Sequence, residues 1–513
     1  MAVEESYDIL TPEESNELFS EPHHKRLDLV FDAIDETKII VNDTLTEMTP
    51  NEFNVYTLPE ELSNLYTEIV FTFIKTLKDG TTQSVNKSVL ISEMGEWDNT
   101  GLNNATKLDE YVQTEPTTVI SLFCGISKNH NSLCIYYRRV GDLSGNAKYD
   151  LYYLSAWAVQ PELTISNENI VQESLVLTDS LCDEDYELHY GKCNPKEFDI
   201  SIADISAPLK NRWFTALLTV ENPKTYLVDG NGDRIVDDNG DYIISYDQGN
   251  VETMPIGRFK VYSDKHNNGR VIRDLICYDA LYYINNTDVK SWISSLSFPM
   301  MLRHFRDIFF EYFGITQDTT DLINDAFSVK GHFGDSDTLL GKTIIESICE
   351  FNGVFGHIAT DGMFEYEDIT AMDSIEYKHY INHSGNYEDY VTDYVSGVRA
   401  VGEDGTIDWP TSVGTSANPY FIKDNPIIYG TEGTNGLGTA LGKLYDKIKY
   451  TSYRPFSLET YGNPVLPVGT SVRINEQDET IESIIMTKRL TGIQAMRDHI
   501  DTYGDIKLET IEI

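Results

Sequence analysis

Apolar and polar residues alternate with period two in short runs along much of this chain: RLDLVF (26–31), TVISLF (118–123), LCIYYRR (133–139) and FDISIADI (198–205). Such alternation lays one face of an extended strand against a core. Turn residues separate the runs, so the pattern commits the chain to a mainly β fold. Helical spacing is sparse and clusters in the second half. In FPMMLRHFRDIFFEYFG, Leu302, Phe305, Ile308, Phe309 and Tyr312 follow the 3, 4, 7 pattern, and Gly314 stands where a C-cap belongs. A second helix is expected from about Thr338 to Phe351, with Leu340, Ile344, Ile345 and Ile348 on one face and Gly353 after it. A third is expected from about Leu437 to Ile448, carrying Leu437, Leu441, Leu444 and Ile448. All three have the stripe of packing elements.

The 513 residues suffice for three to four domains, and 41% are apolar, so the chain can bury cores despite 83 acidic against 39 basic side chains and a net charge of −44. An excess of that size argues against a broad grip on nucleic acid or anionic lipid, either of which needs a basic patch. The N-terminal MAVEESYDILTPEESNELF has acid where a secretory signal carries its positive charge, so no export signal is expected. The longest apolar run, Ile69 to Leu77, already contains Lys75, so no membrane span is expected. Six cysteines, none in a CxxC pair, fit a reduced, cytoplasmic place of synthesis. Cys124 and Cys134 flank the hairpin FCGISKNHNSLC and could face each other; two small buried thiols is the preferred reading over a disulfide.

LVDGNGDRIVDDNGDYII holds two D-x-N-G-D units, Asp229 to Asp233 and Asp237 to Asp241, which read as Asn-Gly turns of a solvated β-ribbon. Asp229, Asn231 and Asp233 imitate the first three ligands of an EF-hand loop. Arg234 and Gly240 occupy the positions where Gly and the closing Glu are needed, so no metal site is expected. Gly341, Lys342 and Thr343 imitate the end of a Walker A loop, but Ser336 replaces its first glycine, and a helix start is expected. His379 and His383 are four apart in a short polar segment without HExxH, which reads as surface histidines. There is no GxSxG elbow. With 83 carboxylates, any chosen acid pair is uninformative. No catalytic, cofactor-binding or metal residue is assigned, and no cofactor or enzymatic activity is expected.

Several linked segments carry a resemblance. SLCDEDYELHYGKCNPKEFDISIADI (180–205), PIGRFKVYSDKHNNGRVIRDLICYDALYYI (255–284), LRHFRDIFFEYFGI (302–315), GKTIIESICEFNGVFGHIATDGMFEYEDI (341–369) and the C-terminal stretch YRPFSLETYGNPVLPVGTSVRINEQDETIESIIMTKRLTGIQAMRDHIDTYG (453–504) follow one another as in the phage tail hub family. The chain resembles the tail-tip hubs of siphophages, called tail-associated lysins when a hydrolase is appended, which are related in fold to contractile-phage baseplate hubs. The resemblance implies a mainly β fold with an α/β portion, and two related β-barrels per chain, so that a homotrimer forms a pseudo-six-fold ring. It also implies a virion protein at the tail tip, assembled in the host bacterial cytoplasm. That protein joins the distal tail protein or tail tube to the spike, fibre or receptor-binding protein, holds the tape-measure protein end, and forms a channel through which DNA passes without specific binding.

On this plan, 1–32 and 161–283 form the first barrel region, 284–370 an α/β domain, 371–454 a connecting β/α domain, and 455–513 the C-terminal barrel region. Residues 33–160 are an insertion where the typical hub turns almost directly from Asp32 to Glu162. The insertion holds 17 acidic and 9 basic residues, net −8. It is expected to be a β-sandwich-like domain attached by two chain crossings, with a role in docking neighbouring tail proteins or in glycan recognition. Trp97, Tyr136, Tyr137 and Trp157 are its candidate stacking residues, against the plainer reading as core. The chain runs only a few residues past the hub module to Ile513, so no appended lysin domain is expected. A contractile tail or bacteriocin-like particle is the alternative within this class; a cell-wall hydrolase and a glycan-binding adhesin are the alternatives outside it.

Overall fold

The computed structural model describes residues 24–43, 53–58, 68–76, 82–98, 101–114, 117–128, 132–141, 151–160, 162–182, 188–205, 207–221, 251–267, 271–369, 375–377, 386–402, 405–410, 418–431, 434–476 and 479–504. The fold is mainly β with an α/β portion. It divides into two compact units, one comprising Met1–Leu29, Ser166–Asp204 and Phe214–Ile513, the other Val30–Ile165 and Ile205–Trp213.

In the first unit, one path of hydrogen-bonded strands draws on both ends of the chain. Its order is His24–Phe31, Trp213–Glu221, Val251–Asn267, Ile272–Tyr278, Glu197–Ala203, Val176–Ser180, Thr487–Thr491, Arg497–Thr502, Phe456–Tyr461 and Asn386–Tyr387. The period-two pattern is realised directly: 197–203 and 272–278 alternate buried with half-buried residues. Phe198, Phe214 and Phe259, all 0% exposed, meet on the buried face with ring centroids 4.8 to 5.9 Å apart. Burying each such ring stabilises by about 1.5–3 kcal/mol.

The α/β portion packs three amphipathic helices. Leu302–Phe313 buries Leu302, Phe305, Arg306, Phe309 and Phe310. Leu302, Phe305 and Phe309 of the expected stripe are buried, whereas Arg306 and Phe310 are buried in place of Ile308 and Tyr312. Tyr312 is 45% exposed and stacks on Trp292 at 4.9 Å, while Arg306 takes an interior place because a carboxylate fork awaits it there. The second helix starts at Gly341 and ends at Asn352, with Leu340 outside it at 42% exposure. Gly353 caps it at φ +62, the left-handed region where glycine carries no Cβ penalty. The third, Asn435–Ile448, buries Leu437, Leu441, Leu444 and Ile448 as its spacing requires, and Thr434 accepts a hydrogen bond from Leu437 N. The short helix Ala280–Asn286 has no long periodic stripe to betray it; Asp279 caps it, accepting from Leu281 N at 3.0 Å.

The second unit contains two sheets. Ile34–Asp43, Leu151–Gln160, Glu68–Thr76 and Thr82–Leu90 form one in that order. The other runs Phe53–Thr57, Ser132–Gly141, Thr117–Ser127, Gly95–Asp98, Gly101–Asn103, with Thr106–Thr114 also on Thr117–Ser127. The strands that enter and leave this stretch pair with each other, Ile34 opposite Gln160. Cys124 and Cys134 are buried free thiols on neighbouring strands. Among the described residues no helix is long and apolar enough to cross a membrane.

Candidate functional site

The feature of the first unit that local sequence does not dictate is the junction between N-terminal and C-terminal strands. Val176–Ser180 pairs on one side with Glu197–Ala203 and on the other with Thr487–Thr491, antiparallel in both cases. Backbone bonds extend the junction beyond the strands: Leu181 N donates to Met486 O at 2.7 Å and Gly492 N to Leu175 O at 2.9 Å. The Glu173 carboxylate accepts from Ile493 N and Gln494 N at 3.0 and 3.1 Å, and Gln494 in turn binds the backbone of Lys25 on both its amide atoms.

Charged residues occupy the apolar parity of these strands. Leu177, Asp179, Lys488, Leu490, Asp498 and Ile500 are all buried, while their alternates Thr178, Arg489 and His499 are exposed. Asp179 stands directly opposite Lys488 in the ladder. Lys196 Nζ lies 3.4 Å from Asp179 Oδ2, and Lys488 Nζ lies 3.7 Å from Asp498 Oδ2. Lys488 also donates to the carbonyls of Asn463 and Leu466, and Asn463 N donates back to Asp498 at 2.7 Å. Asp279 continues the chain by accepting from Lys196 N at 2.9 Å. The result is three carboxylates and two ammonium groups inside the fold.

Burial moves their protonation equilibria. It raises Asp279 to about 7 against the opposing pull of Lys196, and raises Asp498 although Lys488 opposes it. Lys488 is lowered by burial and raised in part by Asp498 and Asp179. Asp179 Oδ1 and Asp498 Oδ1 accept no hydrogen bond from a described residue. A buried pair of this kind adds little net stability over an apolar replacement, but a slip of one residue would leave its charges uncompensated. Its chemical capacity is therefore to specify register.

The α/β portion has its own polar fixings. Arg306, 1% exposed, grips Asp325 with Nε and Nη2 at 3.0 and 2.9 Å and donates to Thr320 O and Gln317 Oε1. Glu350, raised to about 7 by burial, accepts from Asn425 Nδ2 at 2.8 Å and Tyr420 OH at 3.3 Å. The described arrangement nearest to acid–base machinery is His357 between Glu365 and Glu367, at 3.2 and 3.6 Å. His357 is 5% exposed, while Glu365 is open to solvent. A cleft of about 510 Å³ opens beside Lys290, Ile293, Phe298, His332 and Asp335, with Lys290 Nζ held by Gly334 O at 3.0 Å.

Gly341, Lys342 and Thr343 open a helix, and Lys342 Nζ lies 3.5 Å from Glu346. The two D-x-N-G-D units, Asp229 to Asp233 and Asp237 to Asp241, lie outside the described residues, as do His379 and His383. Trp97 and Tyr136 are brought together by a residue the sequence reading passed over. Phe53 lies 5.1 Å from Trp97 and 4.7 Å from Tyr136 between ring centroids, and is itself 47% exposed. The side chains of Tyr137 and Trp157 lie outside the described residues. The junction charges were also passed over, although a charged residue at apolar parity, as in LTDSL, MTKRL and MRDHI, is a readable sign.

No family model matches the chain, and no curated protein matches it. Among solved structures, the chain is similar to the 43 kDa tail protein of prophage MuSo2 from Shewanella oneidensis, at 10% identity and TM-score 0.38, over 66% of this chain and 94% of that one. It is similar also to a tail protein from Neisseria meningitidis MC58, at 10% identity and TM-score 0.35, over 64% and 92%. A third match, to a chain of the phage P2 baseplate in its activated conformation with calcium, has 10% identity and TM-score 0.21, over 68% and 93%.

Proposed function

We propose that this chain is a structural hub of a phage tail, trimeric in the particle, joining a six-fold tail tube or distal tail ring to a three-fold spike or fibre. The observation that carries the reading is the junction at Asp179 and Lys488, which makes one sheet of strands from both ends of the chain. A subunit that offers two successive ring positions must hold its two barrel regions rigidly to each other. A continuous ladder locked by buried charge is a means of doing so. The ordered resemblance of segments from 180 to 504 supports the same reading.

The charge fits a conduit. Outside residues 33–160 the chain holds 66 acidic and 30 basic residues, a net of −36, and three whole copies would carry −132. Acid facing the bore would repel the phosphate backbone, so that DNA slides through without being held. Native mass measurement on the isolated chain and on detergent-released tail tips tests the oligomer. Three copies per tip are expected, and a monomer or hexamer in the tip contradicts the reading.

For residues 33–160 we propose an autonomous domain inserted into the hub. Its entering and leaving strands pair at Ile34 and Gln160, so the two ends of this stretch lie side by side. The half-exposed Phe53, beside Trp97 and Tyr136, favours a role in stacking a sugar ring. Residues 33–160 expressed alone should unfold cooperatively and bind host-surface glycan less well after Phe53→Ala. A non-cooperative melt contradicts the first proposal, and unchanged binding the second.

A further inference from the structure

The loop ahead of strand Glu197–Ala203 and the last turn of helix Gly341–Asn352 each present a sulfur to the other. Cys193 Sγ and Cys349 Sγ are 3.7 Å apart, both residues are 0% exposed, and both are free thiols. Hydrogen bonds pin their backbones to one another. Asn285 Nδ2 donates to Cys193 O at 2.8 Å, Gly191 N to Val354 O at 2.9 Å and Gly356 N to Lys192 O at 3.1 Å. Cys349 O accepts from Val354 N at 3.1 Å, at the end of its helix. The segment carrying one cysteine is thus hydrogen-bonded to the segment that follows the other, and neither sulfur can drift away.

A disulfide needs the sulfurs about 1.7 Å closer, at about 2.05 Å, a displacement that rotation about the two Cα–Cβ bonds shares between them. We propose that Cys193 and Cys349 are a cross-linking site, oxidised to an intrachain disulfide by a low-molecular-weight disulfide such as oxidised glutathione. In the first step one cysteine, as thiolate, attacks a sulfur of the oxidant, forming a mixed disulfide and releasing one glutathione thiolate. In the second, the other cysteine attacks the protein sulfur of that mixed disulfide and releases the second. Two protein thiols are oxidised, one external disulfide is reduced to two thiols, and the two protons pass to solvent and the released thiolates. Burial and the adjacent sulfur hold the Cys193 thiol well above its ordinary pKa, so attack awaits a local opening and the reaction is slow. Such a bond is disfavoured in a reducing cytoplasm and persists in an oxidising environment outside it. The bond closes a loop of 156 residues and ties the large sheet to the α/β portion, a constraint on the unfolded chain.

The test is incubation of the purified full chain with oxidised glutathione, followed by thiol counting under denaturing conditions and non-reducing peptide mapping. Titratable thiols should fall from six to four, a peptide joining Cys193 to Cys349 should appear, and the melting temperature should rise. Dilute urea should speed the reaction, and Cys349→Ser should abolish the cross-linked peptide. Six thiols remaining after prolonged incubation with dilute urea overturns the proposal. So does a cross-link confined to Cys124 and Cys134. The wild-type peptide map decides the matter even if the serine variant does not fold.

Discussion

Replacing Lys488 by Met should open the junction between the two strand sets. Lys488 is 4% exposed; its Nζ lies 3.7 Å from Asp498 and donates to two backbone carbonyls. At an effective dielectric of about 20, two unit charges at that separation interact by roughly 4–5 kcal/mol, and removing one partner of a buried pair typically costs about 3–5 kcal/mol. The carbonyls of Asn463 and Leu466 would lose their donor, adding about 1 kcal/mol or more. The chain divides into two units, so a whole-molecule melt does not localise the loss to this ladder. Hydrogen exchange of the amides in Thr487–Thr491 reports the opening of this ladder. Exchange there should accelerate at least a hundredfold in Lys488→Met, while the amides of Leu302–Phe313 are unaffected. The double variant Lys488→Met with Asp498→Leu should recover most of the protection. Loss of less than about 1 kcal/mol in the single variant, or no recovery in the double, refutes the argument from uncompensated charge.

The remaining expectations concern other buried features. Asp279 and Glu350 have folded-state values near 7, above their ordinary 3.8 and 4.5. The folded protein therefore holds protons that the unfolded chain has released, so their contribution to stability falls as pH rises from about 4 to about 7 and levels off above. Glu350→Gln should flatten that slope in urea titrations across this range, and an unchanged slope would contradict the assignment. Arg306→Lys keeps the charge but loses the two-pronged grip on Asp325, and should cost about 2 kcal/mol in chemical denaturation. Gly191 sits at φ +92 with a would-be Cβ only 2.6 Å from the backbone of Glu350, so Gly191→Ala should cost about 2 kcal/mol or more by the same measurement.

Strand parity was the most legible property of the sequence. RLDLVF, FDISIADI and LCIYYRR became strands because alternation needs only a near neighbour and a core to face. Helix 435–448 was equally plain, since all four of its stripe residues are apolar and all four are buried. In helix 302–313 the expected Leu302, Phe305 and Phe309 are buried, but the edge of the face differs, because the sequence cannot reveal that Asp325, beyond a loop, awaits Arg306; a matched guanidinium takes an interior place that an apolar reading gives to Ile308 or Tyr312. The junction was illegible for the same reason on a larger scale. Asp179, Lys488 and Asp498 are each marked by lying at apolar parity, but nothing local says that Asp179 will face Lys488. In the second unit, Trp97 and Tyr136 were noticed as aromatics, whereas the ring between them, Phe53, arrives from an edge strand whose pairing fixes it opposite Tyr136.

The central claim is that three copies of this chain form the hub, each supplying two barrel regions held together through the Asp179–Lys488 ladder. A cryo-electron reconstruction of the tail tip, viewed down its axis, tests it most directly. Six similar barrels from three chains, with that ladder intact inside every chain and carboxylates facing the bore, is the predicted result. A different number of copies, or a bore lined with neutral or basic side chains, would contradict the account.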